Sequence, residues 1–367
     1  MKYDFFSDHR AIARVDLAAI CRNFCLARQL AQRQNPKARM IAVVKCNGYG
    51  HGLLRVADAL LGVGCDFFAV ATPNEALSLR AAYPQPDILV LGYTPPALAP
   101  SLAKERVSQS VFSAPYAAAL AATLPNNLQL TVHIKIDGGL CREGFDATDT
   151  DGILFALRQK NLTPTGLFTH FPNADTDPAA TKAALGKFLA CRQRLQEAGF
   201  PLFAHAAASA ALLTLPESVL DGVRPGLLLY GISPVKAAFP LSPALSLWAP
   251  IQQIRSVKAG TPIGYGGDFI TRRESRIGTI PLGYGDGFCR RMSGFYATLM
   301  TKKRRFSLPV CGRVSMDMTT LDLTDSPARV GDAVCLFESA SAPAAHLGTI
   351  PYEILTALSP RIERVYL

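Results

Sequence analysis

Eight short runs of apolar and β-branched residues punctuate the first two thirds of the chain. They are MIAVVK (40–45), FFAVAT (67–72), DILVLGY (87–93), SQSVF (108–112), LTVHIKID (130–137), PTGLFTH (164–170), LFAHAAAS (202–209) and GVRPGLLLYG (222–231). Most are separated by stretches of helical character, among them LLRVADALL, PNEALSLRAAY, PYAAALAATL and TKAALGKFLACRQRLQEAG. The last of these stops at Gly199 with Pro201 just beyond, the punctuation of a helix end. Strand followed by helix, repeated eight times, predicts an α/β fold with a parallel (β/α)8 barrel of the TIM type. An open doubly wound sheet is the alternative, but no G-x-G-x-x-G loop follows the first run.

After about residue 240 the pattern changes to strands broken by Gly and Pro, such as TPIGYGGDF, RIGTIPLGYGDG, FSLPVCGRVSMDMTTLDL and DAVCLF, with one short helix in PYEILTAL. This predicts a barrel domain over residues 1–240 and a mainly-β domain over 241–367, with Pro-rich KAAFPLSP (236–243) as the boundary. The opening residues, about ten of them, and the strand-like AIARVDL that follows fit either domain.

Of the 367 residues, 49% are hydrophobic and 18% charged, enough apolar mass for a large core. The opening MKYDFFSDHR lacks the apolar run of a signal peptide, and FAHAAASAALLTL is too short to span a bilayer. Nine cysteines with no CxxC pair fit reduced thiols in a cytoplasm rather than disulfides or a metal site. The net charge of +10 includes one dense run, KKRR at 302–305, which reads as a solvated hairpin. Neither a nucleic-acid partner nor a membrane is expected.

Polar residues gather where the barrel runs end: Lys45 after the first, Lys135 and Asp137 in the fifth, His170 closing the sixth, Ser209 closing the seventh and Arg224 in the eighth. In barrel enzymes that end carries the chemistry. The loops after strands seven and eight commonly hold phosphate, and here they offer Ser209 and the backbone around Gly226. A cofactor with one phosphate opposite a lysine fits pyridoxal phosphate, whose aldehyde condenses with an amine and whose ring nitrogen needs a partner such as Arg224.

These residues carry a resemblance. AVVKCNGYGHG resembles the pyridoxal-phosphate lysine motif of the bacterial alanine racemase family. IKIDGGLCREGF, THFPNAD, HAAASAA, VRPGLLLYG, PIGYGGDF, PLGYGDG, GRVSMDM and YEILTAL resemble further family segments in the same order, over nearly all of the chain. The resemblance implies interconversion of L- and D-alanine for peptidoglycan or catabolism, in a head-to-tail homodimer with shared active sites. It assigns the cofactor to Lys45, and its phosphate to Tyr49, Ser209, Gly226, Leu227 and Tyr352. Lys45 and Tyr265, the latter from the other subunit, serve as acid–base groups on opposite faces. An ordinary phenol, with a pKa of about 10, is a poor base at neutral pH. The resemblance links His170 and Arg224 to it by hydrogen bonds that would lower that value.

Arg142 and the backbone of Met316 are assigned to the substrate carboxylate, Asp317 to orienting neighbouring groups, and Tyr284 to narrowing the pocket. Lys135 matches a lysine that is often carbamylated beside that arginine. The chain departs from the family around it: Gly138 and Leu140 stand for threonine and methionine, Cys141 for glycine, Glu143 for an apolar residue, and Ala208 for asparagine. A serine or broad-specificity racemase, a related decarboxylase and a non-catalytic pyridoxal-phosphate-binding protein are the alternatives. His51, His133 and His205 read as structural.

Overall fold

The computed structural model describes residues 10–236 and 239–367, which form two compact units. One contains Ile20–Gly48 and Leu53–Ser242 and is built on a closed eight-stranded parallel barrel. Its strands are β1 (Arg39–Val43), β2 (Phe67–Val70), β3 (Asp87–Val90), β4 (Ser108–Val111), β5 (Leu130–Asp137), β6 (Leu162–His170), β7 (Phe203–Ala208) and β8 (Gly222–Arg224). Each predicted run contains a barrel strand, because fully buried parallel strands favour continuous β-branched and aromatic residues, but the eighth strand stops at Arg224 and Leu227–Tyr230 turns as a short helix.

Helices fill the connections, several with readable starts. Thr72 and Glu75 cap the helix Pro73–Ala82 reciprocally, and Asp177 caps the helix Pro178–Glu197. Inside the barrel, β5 and β6 pair in a register that sets His133 opposite Gly166, Lys135 opposite Phe168 and Asp137 opposite His170. Gly166 is required there: a Cβ on it would lie 2.3 Å from His133 Nδ1. The polar residues of β5 therefore recur every second position, one face of a strand.

The other unit gathers the described chain up to Ala19, the segment Tyr49–Gly52 and Pro243–Leu367. Its main sheet places the strand Ile12–Val15 between Leu245–Pro250, antiparallel, and Glu363–Tyr366, parallel. The AIARVDL stretch thus pairs with C-terminal strands; most of the first ten residues lie outside those described. Between the antiparallel strands Tyr296–Met300 and Arg305–Pro309, KKRR supplies three residues of the turn and the first residue of the second strand. No helix among the described residues is long and apolar enough to cross a membrane.

Candidate active site

Lys45 follows β1 at the head of an unusual turn. Cys46, Asn47, Gly48 and Tyr49 all have positive φ, between 52° and 62°. Left-handed backbone costs a non-glycine residue about 1–2 kcal/mol, so the surroundings must hold it. Gly48 N–H donates to the Val44 carbonyl at 2.8 Å. Asn47 Oδ1 accepts from Leu53 N–H at 2.8 Å, at the start of the helix Leu53–Gly62, and Asn47 N–H donates to Glu75 Oε1 at 3.3 Å. Val44 itself is fully buried. The lysine is thereby carried on rigid backbone on both sides.

On β8, which pairs directly with β1, Arg224 is buried at the strand's end. Its Nη1 donates to His205 Nδ1 at 2.8 Å and to the His205 carbonyl at 2.5 Å; its Nη2 donates to the carbonyls of Thr169 (2.5 Å) and Ala206 (3.0 Å). A guanidinium only donates, so His205 Nδ1 accepts and its Nε2 carries the proton. That N–H donates to His133 Nδ1, 2.9 Å away. Phe168 packs in the same layer, stacked on His205 with centroids 4.9 Å apart, and faces both Arg224 and Lys135 as cation–π partners. Burial lowers Arg224 to about 9, still charged at neutral pH, and burial with the Arg224 charge lowers His133 to about 3.

His170, at the end of β6, is also lowered to about 3, first by burial and then by the charges of Arg224, Lys45, Arg142 and Lys135. One neutral imidazole thus sits within the field of four cations. Lys135 is buried and donates to Glu143 Oε2 at 2.8 Å. Asp137 Oδ1 accepts from the N–H groups of Leu140 (3.0 Å) and Cys141 (3.2 Å), ordering the loop that carries Arg142.

Ser209, buried just past β7, has an Oγ that accepts from Gly226 N–H at 3.0 Å and Leu228 N–H at 3.3 Å, at the start of the tight turn Leu227–Tyr230. Converging N–H groups of this kind suit an anion. Arg224 Nε, unlike the other two nitrogens, has no hydrogen-bond partner among the described residues. An available N–H on a buried guanidinium fits a ring nitrogen, and the Ser209 turn fits a single phosphate, so the residues present suit pyridoxal phosphate.

The remaining candidates lie in the other unit. Tyr265 is 71% exposed and stands on a turn whose glycines, Gly264, Gly266 and Gly267, all have positive φ. Tyr284 and Met316 are exposed on two loops joined by backbone: Tyr284 N–H donates to the Ser315 carbonyl (3.0 Å) and Gly285 N–H to that of Met316 (2.9 Å). Gly283 permits this approach, since a Cβ there would lie 2.3 Å from both carbonyl oxygens. Asp317 pairs with Arg361 at 2.7 Å, and Arg361 and Arg10 share the buried Asp286 at 3.2 and 3.1 Å. Tyr352 and Tyr49 have ring centroids 5.8 Å apart.

His133 and His205 read from the sequence as structural and Glu143 as a departure from the family pattern, while Phe168 carried no signal of its own. The period-2 alternation of LTVHIKID, which puts His133 and Lys135 on one face, was the available signal.

A lysine after β1, a buried arginine on β8, and Ser209 past β7 meeting the turn after β8 suit a barrel enzyme of the pyridoxal-phosphate-dependent class. Residues 15–234 match the family model "Alanine racemase, N-terminal domain", and residues 244–366 match "Alanine racemase, C-terminal domain". The alanine racemase of Desulfovibrio desulfuricans is 36% identical over 98% of this chain and 98% of its own length. Among solved structures, the Bacillus anthracis alanine racemase with bound L-Ala-P superposes with a TM-score of 0.90 at 32% identity, covering 98% of this chain and 95% of that one. The biosynthetic alanine racemase of Pseudomonas aeruginosa gives 0.84 at 35% identity, covering 98% and 99%. The chain belongs to the alanine racemase family.

Proposed function

We propose that this chain interconverts L- and D-alanine with pyridoxal phosphate as cofactor, using Lys45 and Tyr265 of a second copy as its two acid–base groups. The observation that carries the reading is the gathering of Lys45, Arg142 and Arg224 around one neutral His170 at the barrel mouth. When bound, the cofactor draws electron density from the substrate Cα and makes its proton removable.

The chain's own residues do the rest. Ser209, Gly226 and Leu227 hold the phosphate, and Arg224 Nε meets the ring nitrogen. Within this reading Tyr49 and Tyr352 keep the phosphate-contacting roles their motifs imply. A guanidinium there, instead of a carboxylate, leaves the ring nitrogen unprotonated and weakens the electron sink, which places more of the work on the two bases. Arg142 binds the substrate carboxylate, the Met316 backbone keeps the carboxylate role its motif implies, and Tyr284 restricts the side chain. Inverting Cα takes a proton from one face and delivers one to the other, so two groups on opposite sides are needed.

Tyr265, Tyr284, Met316 and Met318 are all exposed on the second unit, an apolar set that supports a homodimer contact. The reading includes a cytoplasmic setting and D-alanine supply for peptidoglycan or its breakdown. Replacing Lys45 with Ala should abolish both racemisation and the cofactor's lysine-linked absorbance band; activity surviving it would overturn the assignment. Turnover on alanine should exceed that on serine, and equal rates would instead favour a broad-specificity racemase. Tyr265→Phe should slow proton exchange for one enantiomer much more than for the other, and sedimentation should give a dimer.

A further inference from the structure

The loop 138–144 between β5 and Phe145 is held at both ends and at its middle. Asp137 N–H donates to the Phe145 carbonyl and Phe145 N–H to that of Lys135, both at 2.9 Å. Gly144, at φ +133°, runs so close to the strand that a Cβ would lie 2.4 Å from Asp137 N. Cys141, at φ +53°, also holds a left-handed conformation that a non-glycine backbone does not favour.

Two carboxylates compensate. Asp137 bonds the N–H groups of Leu140 and Cys141. Glu143, next to Arg142, reaches back to the Lys135 ammonium, whose side chain is only 8% exposed against 30% for Glu143. A buried ammonium without a counter-charge is strongly unfavourable. Lys135 is also one of the four cations, with Lys45, Arg142 and Arg224, whose charges act on His170. Glu143 is the acid this ammonium bonds.

We propose that Glu143 is a positioning residue: its carboxylate, fixed on buried Lys135, sets the loop that presents Arg142 and keeps the Lys135 amine closed to carbamylation. Carbamylation requires the lone pair of a neutral amine to attack the carbon of CO2: an N–C bond forms, one C=O π bond opens with its electron pair moving to oxygen, and the nitrogen loses a proton to solvent. In the ion pair that lone pair holds a proton directed at Glu143. The chain thus carries in its own sequence the negative charge that CO2 would otherwise bring. Arg142 is left uncompensated by Lys135's partner and open to an external carboxylate.

The role rests on the racemase reading for what Arg142 binds, but not for the state of Lys135. The test uses holoenzyme of the wild type, Glu143→Leu, Glu143→Gln and Glu143→Asp. In 13C-bicarbonate, carbon NMR should show no lysine carbamate in the wild type and a carbamate signal in Glu143→Leu. Propionate, which is alanine without its amine, should bind Glu143→Leu and Glu143→Gln at least tenfold more weakly in CO2-free buffer. Their KM for alanine should rise by the same factor with kcat changed less than threefold, and bicarbonate should restore Glu143→Leu in part. Glu143→Asp should lie between them and the wild type. A carbamate in the wild type, or propionate affinity within twofold of it in both neutral variants, would overturn the proposal. A wild type that fails to racemise alanine yet gives the expected NMR result would instead refute the substrate assignment.

Discussion

At the scale of single residues, the buried line Arg224–His205–His133 turns one charge into a fixed set of tautomers. Arg224 can only donate, so each imidazole along the line has its proton position dictated by the neighbour before it. Lys45 and Arg224 stood out in the sequence because one closes the first apolar run and the other lies within the eighth, and a charge in such a place asks for a reason. His133 and His205 read as packing because their role depends on a contact between β5 and β7 that no local pattern encodes. Their neutrality has a consequence for acid stability. The folded pKa values lie below the unfolded histidine value of about 6.5, so as pH falls protons bind the unfolded chain first. Stability is intact above that pH and is lost progressively toward the folded value of about 3 for His133. At pH 5.5 His133 alone should cost on the order of 1 kcal/mol. His133→Gln, which keeps a hydrogen-bonding group, should lower stability at pH 7.5 but narrow the gap between urea midpoints at pH 7.5 and 5.5. An unchanged gap would show that this imidazole does not titrate on unfolding.

At the scale of elements, the eight barrel strands were legible and the turn after the first was not. Strands announce themselves because burial on both faces selects β-branched and aromatic residues over several positions in a row. Four consecutive left-handed residues leave a fainter mark. Asn47 and Gly48 tolerate positive φ, but Cys46 and Tyr49 have no such preference and adopt it because bonds to Val44, Leu53 and Glu75 hold the turn. The same turn fixes where Lys45 leaves the strand, so strain and aim are linked. Asn47→Ala should lose both the bond to Leu53 N–H and the residue's tolerance of left-handed backbone, together about 2 kcal/mol. Thermal melting of the holoenzyme should register that loss, and cofactor affinity should fall with it although Asn47 is assigned no cofactor contact. Asn47→Gly, which restores the backbone freedom alone, should recover roughly half of the stability. Equal losses in both variants would place the whole effect on the side-chain bond.

At the scale of the molecule, the mainly-β unit is assembled from separated parts of the chain. The strand Ile12–Val15 has both edges occupied, four residues pairing with Leu245–Pro250 and four with Glu363–Tyr366, and Leu367 N–H donates to the Val15 carbonyl at 2.9 Å. Ile12, Ala13 and Val15 are almost wholly inaccessible to solvent. The sequence pattern shows a strand there but not its partners, because alternation reports a face toward a core and says nothing about which distant strand lies alongside. Loop closure over more than 200 residues is entropically affordable, since its cost grows only with the logarithm of length. A central strand is then a better test of the assembly than either edge. Ala13→Asp would bury an unpaired carboxylate on a covered face of the central strand, which is expected to cost several kcal/mol. Hydrogen exchange should rise across Leu245–Pro250 and Glu363–Tyr366, with little change in β1–β8. Exchange rising equally in the barrel strands would mean that the two units unfold as one cooperative body, and the N-terminal strand would then be a keystone for the whole chain rather than for the unit it joins.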